Sequence, residues 1–162
     1  MDNFQNALFL AGEIAENFTF SHACRQMRFT RTMLAVKRES GAQDVLPVIS
    51  ASGMLPEQTA VGTRVAVHGQ VRAYSMRDEN ASHLMIVAYA QGVSPHEGPH
   101  ENAVTLSGVL CRPPVYRVTP MGREIADLFI AVERAFGKSD YLPVIAWGGN
   151  ARRVERWAPG TR

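Results

Sequence analysis

The chain has 162 residues, 46% of them hydrophobic, and a formal net charge of +2. That is enough apolar material for one large or two small buried cores, and it excludes a chain disordered throughout. The longest apolar runs, such as Leu84–Ala90, fall far short of the ~20 residues needed to cross a bilayer. The opening Met-Asp-Asn-Phe-Gln-Asn lacks the basic and apolar regions of a secretion signal, so the expectation is a cytoplasmic protein without membrane contact. The two cysteines, Cys24 and Cys111, are too few for a disulfide framework and read as small, reduced, core or half-buried residues.

The charge is unevenly divided. Before Asn102 there are 8 Lys and Arg against 10 Asp and Glu, net −2; from Asn102 onward there are 9 against 5, net +4. Gly, Pro, Ser and His accumulate between Gly92 and Glu101, which reads as a linker. A basic half suits either a solvated surface or attraction to phosphate.

In chain order, the first half reads as five short, β-branched strands at about 7–20, 27–38, 44–51, 63–75 and 83–93, with a helix or turn at Gly53–Gln58. The second half repeats the first. Asn6–Ile14 recurs as Asn102–Leu110, Met33–Arg38 as Phe129–Arg134, and Asp44–Ile49 as Asp140–Ile145, each displaced by 96, with 12 identities in 21 aligned pairs. Gly62-Thr-Arg64 recurs as Gly160-Thr-Arg162 at a displacement of 98. The slot between the third and fourth strands holds Asn150–Trp157, which predicts a helix capped by Asn150 with Ala151, Val154 and Trp157 facing a core. Pro47 and Pro143 lie inside strand three, where a missing donor calls for an edge or a bulge.

Five strands with a helix between the third and fourth is the layout of the OB-fold, a five-stranded Greek-key barrel that commonly binds oligonucleotides. The expectation is an all-β chain of two OB-fold units in tandem. The first unit spans residues 1–95 and is degenerate, acidic and suited to structure or assembly. The second spans 102–162 and is basic and DNA-binding. Because its repeat stops at Arg162, the second unit is expected to lack its last two strands, which favours a fragment over completion by a partner.

No phosphate loop, nucleophile elbow or His-Glu-x-x-His is present, so no enzyme is expected. His22 with Cys24, and His96 with His100, do not make a four-ligand metal set, and no metal or other cofactor is implied. Binding to unpaired nucleic acid needs cations along a groove and exposed rings on which bases lie. The second unit offers Arg112, Arg117, Arg123, Arg134, Lys138, Arg152, Arg153 and Arg156 for the first need, and Tyr116, Phe136, Tyr141 and Trp147 for the second. The first-unit equivalents of Phe136, Tyr141 and Trp147 are Ser40, Val45 and Ala51, which carry no ring. Tyr141 and Trp147 are six apart in a strand and share a face with Pro143 and Ile145, opposite Leu142, Val144 and Ala146. Periodicity leaves open which side is the barrel interior. Phe129 and Trp157 read as packing residues.

The stretches Asn102–Leu110, Pro114–Gly122, Ile125–Arg134 and Asp140–Gly148 together resemble the bacterial single-stranded DNA-binding proteins, and the whole chain resembles a tandem-OB variant of that family. The resemblance implies that Phe136, Tyr141 and Trp147 stack on bases and that Arg117, before the Thr-Pro-x-Gly turn, contacts the DNA backbone. With Arg123, Arg134, Lys138 and Arg152 these form the expected DNA-binding set. A further stacking position of the family falls near Met76, which is not a ring. The resemblance also implies a homo-oligomer, a dimer giving four OB-folds, that binds single-stranded DNA in replication, repair, recombination or restart. It places the protein in the cytoplasm at the nucleoid, with replication-restart proteins as possible partners. Two other readings stay open: an assembly module of a primosome-like complex, and RNA binding.

Overall fold

The computed structural model describes residues 5–56 and 59–162. Residues 1–4 of the expected first unit, Gln58 at the end of the expected Gly53–Gln58 element, and the side chain of Met76 lie outside the described residues. The chain divides into two compact units, one of residues 6–105 and one of Gln5 with residues 106–162. Among the described residues no helix is long and apolar enough to cross a membrane.

In the first unit the strands are β1 (Asn6–Ile14), β2 (Thr19–Cys24), β3 (Met27–Lys37), β4 (Gln43–Ala51), β5 (Arg64–Asp78), β6 (Ala81–Pro95) and β7 (Glu101–Leu106). They lie in the order β2-β3-β4-β6-β5-β1-β7, and a further β1–β3 pairing closes the sheet into a barrel. β4 meets β6 in parallel through Val48↔Ala88 and Ile49↔Tyr89. This is the strand order of the OB-fold. Leu10, Leu34, Val65 and Val67 fill the interior. The single predicted strand 7–20 is two strands, because Ala15 and Glu16 turn their backbone groups to Met33 and to the Thr32 hydroxyl instead of continuing the ladder. Gly53 and Met54 form a turn, and Pro47 precedes the two-residue parallel contact that would have needed donors beside it.

The expected linker at Gly92–Glu101 is not one. β6 runs to Pro95, and β7, which carries the start of the second repeat, adds to the first unit's sheet beside β1. Between them His100 is fastened to the barrel: its Nδ1 accepts the Lys37 N–H at 3.0 Å and its Nε2 lies 3.0 Å from the Arg64 guanidinium. The division therefore falls after Thr105.

The second unit comprises β8 (Val109–Leu110), β9 (Val115–Val118), β10 (Glu124–Glu133), β11 (Ser139–Trp147) and one helix, α1 (Gly149–Val154). β10 is central, with β11 on one side and β8 and β9 on the other. Among the described residues this unit contains no equivalents of β5 and β6. Pro143 thus sits in an edge strand, where its missing donor costs no ladder bond. Helix α1 closes the core with Ala151 and Val154 against Ala126, as the spacing predicts. It begins after Gly148 (φ 58°), not at an Asn150 cap, and it ends before Trp157, which is 41% exposed and not a core residue. Pro159 disfavours helical geometry just beyond Trp157 and shortens the element.

The repeat holds at the level of hydrogen bonds. Leu34 faces Leu46 across β3–β4, and Ile130 faces Leu142 across β10–β11. Glu13↔Ala35 and Val109↔Ala131 are likewise the same pairing displaced by 96. Gly12 and Gly108 each approach the next strand so closely that a Cβ would stand 2.4 Å from the Ala35 carbonyl oxygen and 2.6 Å from that of Ala131. Each hairpin is also clamped by a bidentate ion pair, Arg38–Asp44 in the first unit and Arg134–Asp140 in the second. The first clamp is exposed, and hydrogen bonding from Arg38 holds the Asp44 carboxyl below its ordinary range. In the second the Asp140 carboxylate is fully buried. Removing one partner of a buried pair strands the other charge, so Arg134→Ala should lower unfolding free energy by about 3–5 kcal/mol in urea denaturation. Arg38→Ala should cost far less; equal losses would contradict a burial-dependent clamp.

Candidate nucleic-acid interface

Alternation along β11 settles which side faces out. Leu142, Val144 and Ala146 turn inward, while Tyr141, Pro143, Ile145 and Trp147 are all exposed. Their partners across β10 are Ala131, Phe129, Asp127 and Ile125, and β9 adds Arg117 opposite Ile125 and Val115 opposite Asp127. Directly opposed side chains in a ladder share a face, so three strands present one surface carrying Tyr141, Phe129, Trp147 and Arg117.

Within it, Arg112, Phe129 and Tyr141 form a stack. The Arg112 guanidinium lies 4.5 Å above the Phe129 ring, and Phe129 and Tyr141 lie 6.1 Å apart at 20°. Phe129 is thus a member of the exposed surface and not simple packing, and neither it nor Arg112 was in the expected set. Their signal in the sequence was the alternation: Phe129 is opposite Pro143 in the register that the repeat implies. Phe136 stands fully exposed in the β10–β11 connection with positive φ (67°), followed by Gly137 and exposed Lys138.

Comparison of the two units separates two kinds of exposure. Tyr141 is 51% exposed and its first-unit equivalent Val45 is 50% exposed, so this position is open in both barrels. Ile145 is 50% exposed, whereas its equivalent Ile49 is 4% exposed and packs with Val87 and Met85 of β6. The openness around Ile145 and Trp147 therefore accompanies the absence of a β5–β6 hairpin over that face.

The cations fall into two groups. Arg117 pairs with Asp127 at 3.0 Å and Arg152 with Glu124 at 3.0 Å, both exposed at the guanidinium. Arg134 is committed to buried Asp140, and its sister Arg38 makes the same clamp, which gives Arg134 a structural task. Arg123 and Lys138 are exposed and form no ion pair among the described residues. Tyr116, a candidate ring, packs against the Ala126, Ala151 and Val154 core and donates its hydroxyl to Glu124 Oε1 at 2.6 Å. It is not a stacking ring. The cysteines also depart from expectation: both are free and exposed, Cys24 at the end of β2 and Cys111 just after β8.

No protein-family model and no curated protein sequence matches the chain. Among solved structures, a deletion mutant of the single-stranded DNA-binding protein from Thermus aquaticus matches with a TM-score of 0.79 at 24% identity, covering 99% of this chain and 83% of that one. The wild-type protein from the same organism gives 0.77 at 24%, covering 97% and 81%. The shared fold is a tandem of OB barrels. A looser match is the N-terminal domain of PriB from Thermoanaerobacter tencongensis, at TM-score 0.48 and 27% identity over 57% of this chain and 98% of that domain.

The hydrogen bond to Glu124 is the main reason the Tyr116 phenol is held above its ordinary value of 10.0. A raised folded-state value means that its contribution is complete below the unfolded value and is lost as pH rises through the folded one. Tyr116→Phe should therefore lower the melting temperature at neutral pH and flatten its decline in strongly alkaline buffer. A variant with an unchanged alkaline decline would remove Tyr116 as its source.

Proposed function

We propose that this chain binds single-stranded DNA with little sequence preference, the second unit making the principal contact. The observation that carries the reading is the Arg112–Phe129–Tyr141 stack on an exposed strand face of the basic unit. A ring face accepts any unpaired base, and guanidinium groups beside it neutralise the phosphates. Tyr141, Phe129 and Phe136 are the stacking rings, with Trp147 at the far end of the same face. Arg123 and Lys138 are the phosphate contacts that need break nothing. Arg117 and Arg152 join them by exchanging a surface carboxylate for a phosphate, a trade that costs little because exposed pairs are weak. The fold likeness to a protein described as single-stranded DNA-binding supports the same ligand. In this reading the chain is a member of that family, acts by binding and not by catalysis, and serves replication, repair or restart in the cytoplasm. Two copies assemble to give four barrels, and the acidic first unit has a supporting role.

Both tryptophans lie in the second unit, so intrinsic fluorescence reports on that unit alone. Oligo-dT should quench it, and affinity should fall linearly on a log–log plot against salt. Tyr141→Ala should cost about 1–3 kcal/mol of binding, and Val45→Ala at the equivalent first-unit position almost nothing. Fluorescence unmoved by saturating oligonucleotide at low salt would refute stacking in this unit. A matched RNA oligonucleotide that outcompetes the DNA would reassign the ligand.

A further inference from the structure

The first unit has no ring at the positions where the repeat would place one, yet it carries a ring-lined cavity of its own. A cavity of about 350 Å³ is bounded by Phe20, His22, Arg31, Ile49, Tyr74 and Met85. Three features build it. A register shift between Phe20 and His22 brings His22 opposite Phe29, and the two rings stack at 4.7 Å and 8°. The long β5–β6 hairpin supplies the facing wall, where Tyr74 and Met85 are directly paired and the Tyr74 ring lies 6.4 Å from that of His22. Phe20 is the equivalent of Tyr116, but its strand neighbours meet a turn at Gly53–Met54 where the second unit has α1, and it is 57% exposed.

Phe20 also borders a second, smaller cavity of about 160 Å³, which it lines with Arg28, Thr30 and Ser52. The Arg28 guanidinium sits 4.8 Å over the Phe20 ring. One ring thus separates a mainly apolar space from one edged by hydroxyls and a guanidinium. No described carboxylate lines either cavity, although the unit is net negative.

We infer that the first unit holds one nucleotide of the bound strand in this pair of cavities, the base in the larger and the phosphate in the smaller. An apolar slot beside a cationic, hydroxyl-lined one matches a flat heteroaromatic ring joined to an anion. At about 350 Å³ the larger cavity is at the low end for small-molecule sites, the size for one base and its sugar. Arg31, at the rim of the larger cavity, meets the sugar-phosphate chain as it leaves. The inference rests on the proposed DNA reading for the identity of the ligand and goes beyond it by giving the acidic unit a contact of its own.

The test uses the full chain and a long oligo-dT bearing 5-iododeoxyuridine, with photocrosslinked peptides mapped by mass spectrometry. Crosslinks are expected in the peptides spanning Thr19–Arg31 and Arg72–Met85. Phe20→Ala and Arg31→Gln, both outside the buried core, should each remove those crosslinks and weaken binding of the long oligonucleotide on the order of ten-fold. Fluorescence quenching by a short oligonucleotide should be unchanged in both. Crosslinks confined to residues 106–162, or variants binding within about two-fold of the parent, would overturn the inference. The two readings fail separately: first-unit crosslinks without tryptophan quenching would sink the proposed second-unit site and leave this one standing.

Discussion

The surface described above depends on the register of one antiparallel ladder, β10 against β11. Side chains in such a ladder alternate faces, so a slip by one residue would bury Tyr141 and Trp147 and expose Leu142. Two devices oppose that slip. Gly108 lets β8 lie against Ala131 with no room for a side chain, and the Arg134–Asp140 pair ties the two ends of the hairpin across its connection. The same two devices stand at Gly12 and Arg38–Asp44 in the first unit, so the hairpin is the shared part on which both barrels are built.

Much of this was legible in the residues. A constant displacement of 96 over three blocks requires that connections inside the repeat keep their lengths, and the pairings of the two hairpins coincide accordingly. Which face of β11 points outward was not legible, because both faces are apolar: Leu142, Val144 and Ala146 on one, Pro143, Ile145 and two rings on the other. Composition decides a buried face only when the opposite one is polar. Phe129 was misread for the same reason, its neighbours Leu128, Ile130 and Ala131 giving no contrast. Trp157 followed helical spacing but lay past the end of the helix, and Tyr116 looked like a free ring until Glu124 and α1 were seen beside it. The first unit's rings escaped detection because they come from β2, β5 and β6, strands that the best-matching repeat blocks do not include.

A count of basic residues says little about where an anion will settle. Of the cations in the second unit, one is locked to a buried carboxylate, two hold exposed carboxylates, and Arg112 lies over a ring. These situations differ in what it takes to redirect the charge. A surface partner can be exchanged for another anion at small cost, whereas a buried one cannot be left behind. The net +4 is therefore a long-range attraction, and the specific contacts belong to fewer side chains than the total suggests.

The irregularity between Phe20 and His22 is one residue wide, yet it changes what a duplicated barrel can become. In the second unit the residue opposite the start of the central strand is Arg117; in the first the extra residue rotates the chain and sets an imidazole there. Such an insertion leaves the neighbouring hairpin untouched and alters only the chemistry displayed at its mouth. Gene duplication followed by a single-codon insertion is thus a sufficient route for two copies of one scaffold to acquire different binding surfaces without either having to refold.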